Sequence, residues 1–417
     1  MKNSFPGHFP PTKRDINRLW ETCLFTVDAN ILLNLYRYSD STRKEILQVL
    51  RSIKDRIWLP HHAAQEYFNN RLSVIAQQEK AYEEAVKTIQ TLQGDLSNAR
   101  QHPFLSDKLM QKLSVVLEEV VKELEGNKRV HANRTQDDEI QEAIGNLFSG
   151  RVGAPYSDEH LEKLCKEGED RYARKVPPGY KDDWKDEPSS PVLSKYRKYG
   201  DLIIWHQIID KANEVKKGII FVNDDKKDDW YLIFRGKTLG PRPELISDFL
   251  HESDQSFYMY QADRFLQYAS DHLKQTITPA SVDEIRDLRR QDIARRNRLR
   301  TFMHEEMMLR NRASETEQRL SASQAQMAEL LEKAKELQHW QVIRQDRSSA
   351  SEAADSERID EMFMSRNSAE VVEIELRRIR QEIEAVQKEY QMQQAMYQKV
   401  RSELERITHQ GRESENL

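Results

Sequence analysis

Four aspartates and one glutamate stand where apolar runs of this chain stop or give way to a helix. Asp28 closes the run in LFTVDANILLNLYRY. Glu66 falls in LPHHAAQEY, early in a helix that follows a strand. Asp201 opens the helical pattern KYGDLIIW. Asp224 and Asp225 end IIFVNDD, with Asp228 and Asp229 just beyond. Carboxylates brought together repel one another, and a hard cation such as Mg2+ or Mn2+, which prefers oxygen ligands, removes that cost. A cation held in this way activates water and stabilises a leaving oxygen, the chemistry of phosphodiester hydrolysis. Each acid alone has a plainer reading. An aspartate at a strand–helix junction is a common helix N-cap, Glu66 a surface acid, and the DDKKDDW run a solvated turn. Their order, each beside an apolar strand or helix, favours a site.

For these acids to meet, the elements around them must deliver them to one edge. The patterns predict strands at 23–28, 56–59 and 218–222 and helices at 30–37, 42–52 and 201–215. The run Gly218–Val222 has the β-branched content and the Gly and Asp boundaries of a buried parallel strand. The fold class is therefore α/β, a parallel sheet flanked by helices. In open parallel sheets ligands bind at the carboxyl ends of the strands. Asp28 and Asp224 or Asp225 fall on that edge, and the helix-start acids Glu66 and Asp201 turn toward it. Residues 1–68 and 196–275 form a discontinuous α/β domain. Residues 69–195, helical to about Leu147 and then richer in Gly and Pro, form an insertion within it.

The remainder is of another kind. Residues 280–410 contain neither Gly nor Pro. Val372, Leu376, Ile379, Ile383, Val386, Tyr390, Gln393, Tyr397, Val400, Leu404 and Ile407 recur at spacings of four and three, a coiled-coil seam of about five heptads. Gln393 is its polar position, of the type that fixes register. The seam over 281–345 is weaker. RSSASEAADS (347–356) is a candidate hinge, so the region reads either as a hairpin or as an intermolecular coiled coil serving a homo-oligomer or a partner protein. Residues 411–417 read as a disordered tail.

Composition sets outer bounds. No window approaches 18 consecutive apolar residues, which excludes a transmembrane helix and a membrane partner of that kind. The start MKNSFPGHFPPTKRD lacks an apolar signal region and reads as cytoplasmic. Cys23 and Cys165, with no CxxC, argue against a disulfide framework and a zinc finger. His61 and His62 lack zinc spacing. The net charge of −5 means that any nucleic-acid contact must come from local patches. One candidate is the run Arg286, Arg289, Arg290, Arg295, Arg296, Arg298 and Arg300, read either as a phosphate-binding stripe or as a solvated helix face. Arg71, just over one turn beyond Glu66, could hold a phosphate or form a structural ion pair. Lys226 and Lys227 could contact a substrate backbone or balance the acids. Tyr180, Lys181 and Asp182 follow Pro177-Pro178 in a loop that could cover the site.

Taken together, FTVDANILLNLYRY, LPHHAAQEYFNNR, VPPGYKDDWK, KYGDLIIWHQII, GIIFVNDDKKDDW and GPRPELISDF resemble a PIN-domain nuclease, of the large bacterial PIN-like group with a helical insertion. The resemblance spans about residues 20–250 and leaves out the coiled-coil region. It implies hydrolysis of RNA or DNA phosphodiester bonds with divalent metal, Mg2+ or Mn2+, held by three or four acids. By resemblance Asp28 is the first acid, Glu66 the second and Asp201 the third. The family pattern places Ser or Thr two positions before the fourth. Here Asn223 fills that neighbourhood, so Asp225 is favoured if Asn223 takes the hydroxyl position, and Asp224 stays open. Asn30 matches too, its amide suited to orient Asp28 or a phosphate. The expectation is a metal-dependent endonuclease, with a toxin-like or antiviral defence role by family analogy. The rivals are an inactive PIN-like scaffold recruiting partners through its coiled coil, and a small-molecule phosphatase.

Overall fold

A computed structural model describes residues 1, 4–97, 105–181, 196–225, 227–350 and 358–415. The chain divides into two compact units, residues 1–293 and 294–417.

The first unit opens with α1 (Lys13–Thr22), closed at its start by a capping box between Thr12 and Asp15. β1 (Leu24–Val27) runs directly into α2 (Ala29–Asn34) and α3 (Asp40–Ser52). α2 is shorter than the predicted 30–37. Buried Arg43, on α3, draws the carbonyls of Leu35 and Tyr38 away from helical pairing (2.7 and 3.1 Å), and the chain turns there. β2 (Ile57–Trp58) leads through Pro60 into the long helix α4 (His61–Leu96), followed by α5 (Asp107–Asn133), α6 (Glu139–Phe148) and α7 (Asp158–Ala173). α8 (Gly200–Val215) and β3 (Ile219–Val222) return the chain to the sheet. A hairpin of β4 (Tyr231–Phe234) and β5 (Lys237–Pro241), then α9 (Pro243–Ser253), β6 (Phe257–Tyr260) and α10 (Ala262–Leu273) complete the unit, together with the first residues of α11 (Pro279–Ala350).

The main sheet is parallel throughout, in the order β2-β1-β3-β6. A fully parallel sheet is covered on both faces and its strands are continuously apolar; all four residues of β3 are buried. Every strand therefore ends on the same edge. Asp28 follows β1, the Pro60 turn follows β2, Asn223–Asp225 follow β3 and Gln261 follows β6. The β4–β5 hairpin and β6 are not among the predicted strands. They are short, β4 and β6 four residues each and β5 five.

The insertion is not a separate body. Ile140, Ile144, Leu147 and Phe148 of α6 belong to the same core as Phe25, Val27 and Phe221. The predicted strand 56–59 is continued by Leu59, which pairs in parallel with Val152 of the insertion. Leu59 N–H donates to Arg151 O and Gly153 N–H to Leu59 O, both at 2.9 Å.

In the second unit the remainder of α11 and α12 (Arg358–Glu415) pair as two helices of one chain. Leu330 meets Ile379 and Val386 in a buried cluster with Met327, Ala334, Leu337 and Ile383 around it. Within the one chain the two helices lie side by side, the arrangement of the hairpin reading. The α11 side of the seam includes Ala313, Thr316 and Ser323, which explains its faint apolar signal: the spacing is kept but the side chains are small or polar. Gln393 is buried opposite Ser323, whose hydroxyl donates to it at 3.3 Å. Residues 411–415, assigned by sequence to a disordered tail, continue α12, and residues 416–417 lie outside the described residues. Among the described residues no helix is long and apolar enough to cross a membrane.

Candidate active site on the sheet edge

Asp28 is both helix cap and site residue. It ends β1 in extended conformation, and its Oδ1 accepts the Ala29 N–H at 2.9 Å at the start of α2. Its Oδ2 accepts from the Asn30 side-chain amide. Only 8% of its surface is exposed. Burial, and after it the charges of Glu66, Asp201 and Asp225, push its pKa well above the ordinary carboxylate value. The two distant acids, Glu66 and Asp201, thus lie close enough to act on Asp28, as does the acid after β3.

Glu66 and Asp201 ride on two helices, the start of α4 being tied to the middle of α8. The first turn of α4 has no side-chain cap at Pro60; instead the His62 N–H donates to Gln207 Oε1 of α8 at 3.0 Å. An added Cβ at Gly200 would stand 2.8 Å from Glu66 Oε1 and 3.1 Å from His62 Nε2. The glycine before Asp201 therefore leaves the space that Glu66 uses. His62 is pushed down to about 4 by burial, so its 3.6 Å approach to Glu66 is not an ion pair at neutral pH.

The loop after β3 is shaped by two asparagines. Asn223 is buried, and its Oδ1 accepts the Asp225 N–H at 2.6 Å and the Asn30 amide at 2.8 Å. The first contact is a side chain capping the amide two residues on, as a Ser or Thr does in such turns. Asn30 Oδ1 in turn accepts the Asp224 N–H at 3.1 Å. The ends of β1 and β3 are thereby locked together. The loop sends its neighbouring aspartates to opposite sides. Asp225 acts on Asp28 and lies 3.0 Å from Lys227 Nζ. Asp224 accepts from Ala262 N–H at 3.0 Å and lies 3.0 Å from Arg289 Nε in a buried pair.

Asp201 accepts from Lys227 Nζ and from the Trp230 indole N–H, each at 3.1 Å. Lys227 therefore spans Asp201 and Asp225. Among the described residues no group of three or more His, Cys, Asp or Glu side chains stands ready-made for a metal ion. Asp201 and Asp225 share an ammonium instead. Carboxylate oxygens at one sheet edge, two of them already joined by a cation, are the donor type that a hard divalent ion takes.

Other candidates fall elsewhere. Arg71 pairs with buried Asp138, which also accepts from Tyr36 at 2.7 Å; this is the structural ion pair of its two readings. Lys226 and Asp182 lie outside the described residues. In the arginine run, Arg289 is buried against Asp224, Asp263 and Gln261, and Arg286 and Arg290 pair with Asp283 and Asp287. For Arg289 neither the phosphate stripe nor the solvated face holds.

Sequence reasoning passed over Asp229 as part of a solvated turn. It is fully buried, and its Oδ2 accepts the backbone N–H groups of Gly179 and Lys181 (3.1 and 3.2 Å). Gly179 takes φ +92° and presses on Asp201: an added Cβ there would lie 3.1 Å from the Asp201 Cβ. The Pro-Pro-Gly loop is thus clamped against Asp229 and Asp201. Burial, with Asp201 nearby, raises Asp229 to about 7. An acid whose folded pKa lies above its unfolded value holds extra protons when folded, so folding loses stability as pH rises between about 4 and about 7. Asp229→Asn is expected to stabilise the metal-free chain by roughly 1–4 kcal/mol above pH 7 and by little near pH 4. Urea melts in EDTA at the two pH values measure the difference; an equal effect at both would contradict it.

A family model described as a PIN-like domain matches residues 24–245. The match covers more than half of the chain, and the chain belongs to the PIN-like domain family. PIN-like domains are in general nucleases. Comparison with curated proteins and with solved structures returns no significant match.

Proposed function

We propose that the chain is a metal-dependent endonuclease that hydrolyses RNA or DNA phosphodiester bonds, with Asp28, Glu66, Asp201 and Asp225 as the acids that hold Mg2+ or Mn2+. The observation that carries this reading is the placement of acids at the carboxyl edge of a PIN-like sheet: Asp28 caps the end of β1, and Asp225, after β3, shares the Lys227 ammonium with Asp201. When bound, the metal activates water and neutralises charge on the leaving oxygen. The chain's own residues hold the acids. Asn30 and Asn223 fix Asp28 and Asp225, the Trp230 indole fixes Asp201, and Gly200 leaves room for Glu66. Asp224 is the structural member of its pair, because Arg289 neutralises it away from Asp28. A toxin-like or antiviral role rests on family analogy. Partner recruitment through the hairpin would use its outer faces, where Trp340, Val371 and Ile374 are exposed, since its seam is filled from within.

The test is cleavage of labelled single-stranded RNA, single-stranded DNA and duplex DNA by the whole chain in Mn2+, Mg2+ or EDTA. Cleavage of at least one polymer in metal, abolished by EDTA, is expected. A folded chain that cleaves none of them, or cleaves equally in EDTA, contradicts the reading.

A further inference from the structure

Lys227 occupies an unusual place for a residue read as a substrate contact. Its Nζ lies 3.1 Å from Asp201 Oδ2 and 3.0 Å from Asp225 Oδ2, and the three side chains are only 13–17% exposed. The same Asp201 oxygen also receives the Trp230 indole. The lysine is held at its other end as well. Its N–H donates to Asp225 Oδ1 at 3.3 Å, and its carbonyl accepts from Trp230 and Tyr231. The backbone is thus fixed, and the flexible side chain reaches back across the acids.

We propose that Lys227 is a built-in cation that competes with the divalent metal for Asp201 and Asp225, so that metal enters by displacing its ammonium. This rests on the reading of those acids as metal ligands. A small divalent ion needs carboxylate oxygens at about 2.0–2.1 Å. An ammonium hydrogen-bonded to an oxygen of each acid blocks that approach and repels the incoming charge. Without the lysine, four carboxylates would face one another in the metal-free chain. Lys227 therefore stabilises the empty state and lowers apparent metal affinity, because a ligand pays for whatever the competing state has gained. Lysine suits the role better than arginine. Its ammonium is a compact charge on a four-carbon stem that can swing out as a unit.

The experiment is Mn2+ binding to the whole chain without nucleic acid, read from the electron paramagnetic resonance signal of free Mn2+. Lys227→Met keeps the length and apolar stem without the charge, and is expected to bind Mn2+ about tenfold more tightly than wild type. Lys227→Gln serves as a second uncharged variant, and Lys227→Arg, which keeps the charge, should stay within about threefold of wild type. Melting gives an independent readout: Lys227→Met should melt lower than wild type in EDTA and gain more from saturating Mn2+. Equal or weaker Mn2+ binding by both folded uncharged variants, with wild type binding normally, overturns the competition but leaves the metal site standing. If neither wild type nor any variant binds Mn2+, the metal site itself falls, and the competition with it.

Discussion

Arg289→Met is expected to destabilise the chain by about 3–5 kcal/mol. Arg289 is 5% exposed and serves three partners from two segments: Asp224 in the loop after β3, and Gln261 and Asp263 at the start of α10. Removing it leaves buried Asp224 without its cation and Asp263 with Arg286 alone, at 3.4 Å. Asp224 is already pushed up by burial, with Arg289 the main opposing influence. A buried ion pair is weak evidence for net stability, yet breaking one side is costly, because the remaining charge stays desolvated. The second change Asp224→Asn, made in the Arg289→Met chain, should therefore recover part of the loss. Urea denaturation of the three chains measures this. A loss below about 1 kcal/mol for Arg289→Met, the range of an exposed pair, would contradict the account. The same contacts explain why the beginning of α11 belongs with the first unit: the helix is rooted beside the acid loop.

Gly200→Ala should separate activity from stability. The added methyl would meet the Glu66 carboxylate and the His62 ring, both of them side-chain tips that can move. Gly200 has an ordinary helical φ of −53° as the flanking residue of the preceding turn, so alanine imposes no backbone strain. Alanine is also the better helix former, by up to about 1 kcal/mol. The chain should therefore stay folded with an unchanged or slightly raised melting point. Glu66, however, is turned away from Asp28 and Asp201, and displacement of a positioned group by about 1 Å can cost on the order of a hundredfold in rate. Cleavage kinetics beside a melting curve check both halves. Full activity in the alanine chain would remove Glu66 from the acid set or show that its position is slack.

What the sequence made legible follows from how local each signal was. The strands around Asp28 and Asp225 and the helix of Asp201 could be read because an apolar run, its boundary and its acid lie within a few residues. The parallel sheet then followed from topology rules alone. The α12 seam was equally plain, since its heptads carry large apolar residues. Its partner in α11 was faint because Ala313, Thr316 and Ser323 keep the spacing without the hydrophobicity. Three features were not legible. The choice between Asp224 and Asp225 depends on Arg289, some 65 residues further along, and on the turn made by Asn223. The true role of Arg71 depends on Asp138 in the insertion. Asp229 hid in a run of charges that reads as a solvated turn; only the approach of the Gly179 loop buries it. In each case a distant partner decides which side of a loop a charge faces, and no local pattern encodes that.

The most direct test of the central claim is the Mn2+-dependent cleavage rate of Asp28→Asn beside wild type, under single-turnover conditions and on whichever polymer wild type cleaves. Asparagine keeps an oxygen to cap α2 but removes the charge and turns the acceptor that faces the Asn30 amide into an NH2 group, so a melting curve of the variant accompanies the rate. The account predicts a rate lower by on the order of a thousandfold, the loss of several kcal/mol of metal-borne stabilisation. A folded Asp28→Asn chain that cleaves within a few-fold of wild type would contradict it, and would place the chemistry away from the sheet edge.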